Sequence, residues 1–324
     1  MPSLPSCERP RAGCQGPLVS VILPTHNRRD LLRESIQSVL AQTYQNFELI
    51  VIDDGSSDGT RELVQSVAPS ARYVWQRPSG VAAARNRGLR EAHGHLIAFQ
   101  DSDDLWHAEK LARQVAVFRD RPDVGVVCTA ERLIDEQGNV IGGQWKQLHS
   151  GQVTERLFES DFVVMPSAVV RRTVVDQVKE FDTRLRITSD YQFWLRASLV
   201  TRFAFLSEPL VDERCAPNRL TAAKAEGLLF QYHMLKHFYD ELGGSKVVRP
   251  RVARYSLAKN AFRAGRALKR EGDLVRARSL FRASLDHRFS VRTLWACLSV
   301  RSRGGHGQPR GSNTARGSFR EMRT

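Results

Sequence analysis

Leu18-Val-Ser-Val-Ile-Leu-Pro-Thr-His-Asn-Arg28 is the stretch whose reading decides the fold. Its first six residues are apolar except for Ser20, with no polar alternation. That pattern suits a strand covered on both faces, as parallel sheets require. The polar cluster Pro24-Thr-His-Asn-Arg28 ends it abruptly. The same grammar recurs downstream. Phe47-Glu-Leu-Ile-Val-Ile52 runs into Asp53-Asp-Gly-Ser-Ser-Asp58, and His95-Leu-Ile-Ala-Phe99 runs into Gln100-Asp-Ser-Asp-Asp104. Helical spacing fills the intervals at Asp30–Gln42, Thr60–Val67 and Gly80–His93, with a further strand at Ala71–Trp75. Strands alternating with helices predict an α/β domain with a mostly parallel central sheet flanked by helices. Ligands of such sheets bind beyond the carboxyl ends of the strands. Three polar loops are therefore expected to converge on one edge.

Outward from that core, two apolar segments, Val124–Ala130 and Phe162–Val170, surround a Gly-rich loop, and a helix carries Ser189-Asp-Tyr-Gln-Phe-Trp-Leu-Arg196. From about Thr221 the pattern is helical. Ala258–Lys269, the break at Gly272-Asp273 and Leu274–Leu285 read as one tetratricopeptide-like hairpin. The organisation predicted is a flexible segment 1–16, a catalytic domain 17–220, a helical extension 221–300 and a disordered basic tail 301–324.

Composition narrows the class. Of 324 residues, 41% are hydrophobic and 26% charged, ordinary for a soluble protein. The net charge of +14 is concentrated beyond Ser245, where 20 Lys+Arg face 4 Asp+Glu, a balance of +16. Everything before it sums to −2, so basicity is not a property of the catalytic part. The five cysteines are scattered without a CxxC spacing, which excludes a disulfide scaffold and a Cys-based zinc site. His233 and His237 share a helix face but lack the Glu of a zinc-protease motif. No apolar run reaches membrane-spanning length and residues 1–16 have no apolar signal core, so the chain is expected in the cytoplasm. No glycine-rich turn follows the first strand and no P-loop is present, which excludes dinucleotide and P-loop binding.

The acids carry the chemistry. A group leaving as a diphosphate needs its charge neutralised, and one or two carboxylates holding a divalent cation do this. Asp101 and Asp103 fall on one side of an extended loop and suit that role; Asp104 could equally cap the helix expected at Ala108–Phe118. Asp53 and Asp54 close the second strand, where an Asx turn and a ligand-facing carboxylate are compatible readings. Asp58 fits a cap for the helix that follows.

Four ordered motifs, Val19–Arg28, Leu49–Asp58, Gly80-Val-Ala-Ala-Ala-Arg-Asn-Arg-Gly88 and Phe99–Asp104, together resemble the inverting family 2 glycosyltransferases over about residues 17–220. The resemblance implies a GT-A fold. It implies that Pro24, Thr25 and Asn27 line the nucleotide, that Asp54 binds base or ribose, and that Arg85 lies near the diphosphate. It also implies that Asp101 and Asp103 form the DxD motif, with Asp103 contacting Mg²⁺ or Mn²⁺. Asp190 matches the catalytic base, with Ser189 where relatives carry Glu; an N-cap role at the same helix start is compatible. Trp194 reads as core. Relatives often carry Arg-x-His near the diphosphate, and Arg219 is the only basic residue that stands in for it. The processive synthases' Gln/Arg-x-x-Arg-Trp motif and membrane helices are missing, which implies single additions to a glycan or lipid-linked acceptor from a donor that is commonly a UDP-sugar. For the basic tail, a solvated segment, an anionic membrane surface and nucleic acid are the alternatives. Its sparse aromatics (Phe281, Phe289, Trp295, Phe319) argue against nucleic acid. The rival to an enzyme is an inactive GT-A-like module that binds through this tail.

Overall fold

The structure is a computed structural model that describes residues 16–143, 149–185, 187–215 and 225–300. Arg219, most of the segment 1–16 and the tail 301–324 lie outside the described residues. The chain divides into two compact units, 1–181 with 193–219, and 182–192 with 220–324.

The first unit opens with β1 (Val19–Thr25), α1 (Arg29–Leu40), β2 (Phe47–Asp53), α2 (Thr60–Val67), β3 (Arg72–Trp75), α3 (Val81–Glu91) and β4 (Leu96–Phe99). Every residue of β1 is buried, as its unbroken apolar run predicts. β1 lies parallel between β2 and β4, and β3 adds parallel to β2. The helices cover the faces through spaced apolar positions, Leu32, Ile36 and Val39 on α1 and Leu63 and Val64 on α2. α3 approaches more closely because its inner face is Ala and Gly: a Cβ on Gly88 would stand 2.3 Å from Ile22 Cγ2.

Beyond β4 the sheet changes character. β5 (Leu105–Trp106), α4 (Lys110–Asp120), β6 (Val124–Ile134), β7 (Val140–Gly142), α5 (Thr154–Glu159), β8 (Val169–Arg171), α6 (Arg172–Val178), α7 (Ser189–Val200) and β9 (Arg202–Arg214) follow. The order is β3-β2-β1-β4-β8-β6-β9-β5, with β7 on β6. β8 is antiparallel to both β4 and β6, β5 is antiparallel to β9, and β6 and β9 are parallel. The parallel half is the one predicted. The other half is mixed, since β8 and β5 run antiparallel to the strands they pair with. The part of α7 from Phe193 belongs to this unit, and Phe193 and Trp194 are fully buried beside Phe99 and Phe181.

The second unit holds α8 (Ala225–Asp240), α9 (Pro250–Arg270), α10 (Leu274–His287) and α11 (Val291–Ser299). α9 and α10 form a helical hairpin, broken where Gly272 takes φ +84° and Asp273 caps α10 by accepting from Arg276 N–H at 2.9 Å. Ser284 Oγ donates to Ala258 O at 2.9 Å, and Gly265 gives room to the Phe281 ring. No helix among the described residues is long and apolar enough to cross a membrane.

Candidate active site

The register of β1, β2 and β4 sets three polar loops side by side: Thr25 is level with Asp53, and Ile22 with Phe99. Hydrogen bonds then join the loops. Asn27, held in the left-handed region at φ 49°, accepts from Ser57 N–H at 2.8 Å through its side chain and donates its own N–H to Ser56 Oγ at 2.9 Å. Asn is among the few residues that adopt this conformation readily. Asp58 precedes Gly59, the N-cap of α2, and accepts from the Thr60 hydroxyl in that helix's first turn at 2.6 Å. It also reaches across to accept from Arg29 N–H at 3.0 Å and so caps α1.

The two acids that close β2 organise different neighbours. Asp53 accepts from Ser56 N–H at 2.7 Å and Tyr73 O–H at 2.5 Å, and burial together with that carboxylate raises the Tyr73 phenol. Asp54 accepts from Gln76 Nε2 at 2.7 Å, Ser79 N–H at 2.8 Å and Gly80 N–H at 2.7 Å, which fixes the entry to α3. Three donors fill most of a carboxylate's four or so acceptor sites, leaving room for about one more. Pro24 and Thr25 end β1, and Thr25 Oγ1 is buried with no hydrogen-bond partner among the described residues.

The acidic loop after β4 meets two arginines. Arg85 Nη2 pairs with Asp101 at 2.8 Å and Arg28 Nη1 with Asp103 at 2.5 Å. Arg85 is buried on α3, stacked 5.8 Å from the Phe181 ring, and its Nε has no partner among the described residues. Phe181 is itself pinned by Asn86, which accepts from its N–H at 2.7 Å and donates to its carbonyl at 2.8 Å. Arg85 is therefore no surface side chain of its helix: it is 6% exposed, beside an Asp101 that is 28% exposed. Burial and the Asp101 charge raise the Asp103 carboxyl, with Arg28 opposing. Two oxygen ligands close enough to repel each other, both partly exposed, suit a hard divalent cation. Among the described residues no group of three or more His, Cys, Asp or Glu side chains is arranged to hold a metal alone. Asp101 and Asp103 would therefore share such an ion with substrate oxygens and water.

Asp104 has another task. It does not cap α4, whose N-cap is Glu109. It is buried and accepts from Arg214 N–H, at the end of β9, at 2.8 Å. Burial and the charges of Asp101 and Asp103 raise its carboxyl well above the usual range. The Arg214 side chain, also buried, donates to Asp103 O at 3.1 Å and Glu136 O at 2.7 Å and pairs with Glu34 at 2.6 Å. Sequence reasoning assigned nothing to Arg28, Asn86 or Arg214. Arg28 and Asn86 lay inside quoted motifs, whereas Arg214 carries no local signal.

Asp190 belongs to the second unit. It is half-buried in the first turn of α7, where its side chain accepts from Tyr191 N–H at 2.8 Å. In the same unit Asp182 takes two hydrogen bonds from the Arg184 guanidinium, at 3.0 and 2.9 Å.

Comparison with known proteins follows this geometry. Residues 20–179 match the family model "Glycosyl transferase family 2". An uncharacterized glycosyltransferase of Rickettsia typhi, RT0329, is 31% identical over 206 residues, covering 61% of this chain and 64% of that protein. The UDP-Glc:alpha-D-GlcNAc-diphosphoundecaprenol beta-1,3-glucosyltransferase WfgD of Escherichia coli is 46% identical over 103 residues, 31% of this chain and 41% of that one. The chain thus spans less than two thirds of these relatives. Among solved structures, the mannosyltransferase PcManGT of Pyrobaculum calidifontis, in complex with GDP-Man and Mn²⁺, superposes with a TM-score of 0.54 at 19% identity. That superposition covers 88% of this chain and 79% of the other, and shows a shared GT-A fold.

Proposed function

Because residues 20–179 belong to glycosyl transferase family 2, we propose that the chain moves a sugar from a nucleotide-diphosphate donor to an acceptor hydroxyl, with inversion and one residue at a time. The observation that carries the reading is the meeting of Asp101 and Asp103 with Arg85 and Arg28 at the strand ends. A cleft of paired acids and arginines suits a diphosphate and its cation together.

Each residue then has a task. Pro24, Thr25 and Asn27 line the nucleotide, and Asp54, by ordering residues 76–80, shapes the place where base or ribose rests while offering its remaining acceptor site. Arg85 is poised for the diphosphate. Mg²⁺ or Mn²⁺ would be held by Asp103 and Asp101, and when bound it neutralises the charge that the leaving diphosphate gathers. Asp190 takes the proton of the acceptor hydroxyl as it attacks from the face opposite the leaving group. Ser189 stands beside it where relatives carry Glu. The acceptor is a growing glycan or a lipid-linked sugar, a choice supported by WfgD, whose name carries a diphosphoundecaprenol acceptor. The donor is a UDP-sugar, the class named for the same relative. The enzyme works in the cytoplasm, against the inner membrane face.

Two variants test this. Asp103→Ala abolishes cation-dependent release of nucleoside diphosphate. Asp190→Asn abolishes transfer while nucleotide-sugar binding, read by thermal shift, persists. Full turnover in either variant would remove that residue from the reaction.

A further inference from the structure

Helix α11 is built the wrong way round for a surface helix. Its inward residues are Thr293 and Val300, with Ala296 and Cys297 half-buried. Its outward residues are Val291, Leu294, Trp295 and Leu298, which recur at helical spacing on one face. Trp295 is 75% exposed, Val291 73% and Leu298 62%, and Phe289 just before the helix is 69% exposed. A soluble helix ordinarily turns such a stripe inward. Here Lys269 Nζ bonds Ser299 Oγ at 2.8 Å, which ties the helix end to α9 with the stripe facing out.

The surroundings say what covers it. Arg288 and Arg292 flank the stripe, their guanidinium groups stacked on the Tyr255 and Phe262 rings at 5.1 and 5.2 Å. Between Ser245 and Val300 the chain carries 14 Lys+Arg against 3 Asp+Glu. Two such surfaces repel each other, which disfavours a second copy. Residues 301–324 offer only Phe319 and Met322 as large apolar side chains. Val, Leu and Trp on one face with arginines at its margins is the composition of a helix lying in a membrane interface, where Trp and Leu sit among acyl chains and cations meet anionic headgroups. We propose that α11 is a membrane-docking helix that inserts Val291, Trp295 and Leu298 into an anionic lipid surface. This goes beyond charge attraction by the basic tail and stands whether or not the sugar-transfer reading holds.

The test uses the full chain and vesicles of equal parts phosphatidylglycerol and phosphatidylethanolamine, with phosphatidylcholine vesicles as reference. Wild type co-sediments with the anionic vesicles, and the partition coefficient of Trp295→Ser/Leu298→Ser falls by at least about tenfold. Both positions are solvent-exposed, so the variant keeps its thermal midpoint and its nucleoside diphosphate release. A blue shift of tryptophan emission accompanies wild-type binding and disappears in Trp295→Phe, which still binds. Equal partition of the double variant and wild type overturns the proposal, because charge alone then suffices. So does a lipid-free wild-type dimer that the double variant dissociates, or salt-resistant binding to RNA that the same variant loses.

Discussion

Arg214→Met tests whether the end of β9 holds the acidic loop. Its acidic partner Glu34 is 52% exposed, so that pair contributes at most about 1 kcal/mol. The bonds from the buried guanidinium to the carbonyls of Asp103 and Glu136 are charge-assisted and count about 1.5–3 kcal/mol each. Methionine leaves these two carbonyls, and the more weakly held one of Asp135 at 3.3 Å, without this donor but also removes a buried cation whose desolvation was costly, so the net loss lies near the low end, about 3 kcal/mol. With a urea m-value of about 1–3 kcal/mol/M, the midpoint should fall by roughly 1–3 M. The Asp103 carbonyl also loses its tether, and a displacement of about 1 Å in a positioning group costs about a hundredfold, so kcat/KM for donor turnover should fall ten- to a hundredfold. Arg214→Lys keeps the charge but not the fork and should recover only part of each loss. Urea unfolding followed by far-ultraviolet circular dichroism and a nucleoside diphosphate release assay read the two effects. An unchanged midpoint with kcat/KM within about twofold of wild type would refute the clamp, since neither the bonds nor their geometry would matter.

Asp54→Asn exchanges one acceptor oxygen for a donor facing N–H groups of the 76–80 segment, and should lower stability by about 2–4 kcal/mol and raise the Kd for nucleoside diphosphate, measured by calorimetry. Lys110 is fully buried, donating to Gln114 Oε1 at 2.9 Å with its amine 3.9 Å from the Trp106 ring centre, and burial lowers its pKa from 10.5 to about 7. Its folded pKa is the depressed one, so wild type loses stability as pH falls from about 10.5 to about 7 and the penalty is constant below. Lys110→Met should therefore gain on wild type as pH falls through that window, by about 1–3 kcal/mol at pH 7 in urea melts, and match it near pH 10.5.

The legible part of this protein was whatever announces itself locally. Unbroken apolar runs gave β1, β2 and β4, and the polar clusters that end them gave the loops, because burial on both faces leaves no alternative reading of such runs. β9 escaped because Glu208, Pro209 and Asp212 interrupt Arg202–Arg214, and the strand's burial is patchy to match. Its exposed middle reads as a loop until β6 and β5 are there to pair with it. The capping reading of Asp104 failed for the same reason, and Asp58 does more than its local position predicts. Asp58 and Asp104 each stand where a local cap is plausible, yet each serves an N–H far away in sequence, at Arg29 and Arg214. A short polar side chain at a strand end can satisfy whichever orphan donor the fold brings to it, and only the tertiary arrangement decides between them.

The same tertiary view separates three neighbouring acids that are interchangeable in sequence. Asp104 is buried against backbone and cannot be released without stranding the Arg214 amide. Asp101 is partnered by Arg85, whose side chain is 6% exposed, so parting them would leave a cation buried beside Phe181. Asp103 is partnered by Arg28, 42% exposed, in a pair that water screens and that contributes well under about 1 kcal/mol. Its own carboxyl is disposed toward a proton or a better cation by burial and by the Asp101 charge. Of the three, Asp103 is therefore the carboxylate that can change partners at least cost. A ligand arriving at this edge meets a loop whose frame is fixed by Asp104 and Arg214 and whose exchangeable charge is a single side chain.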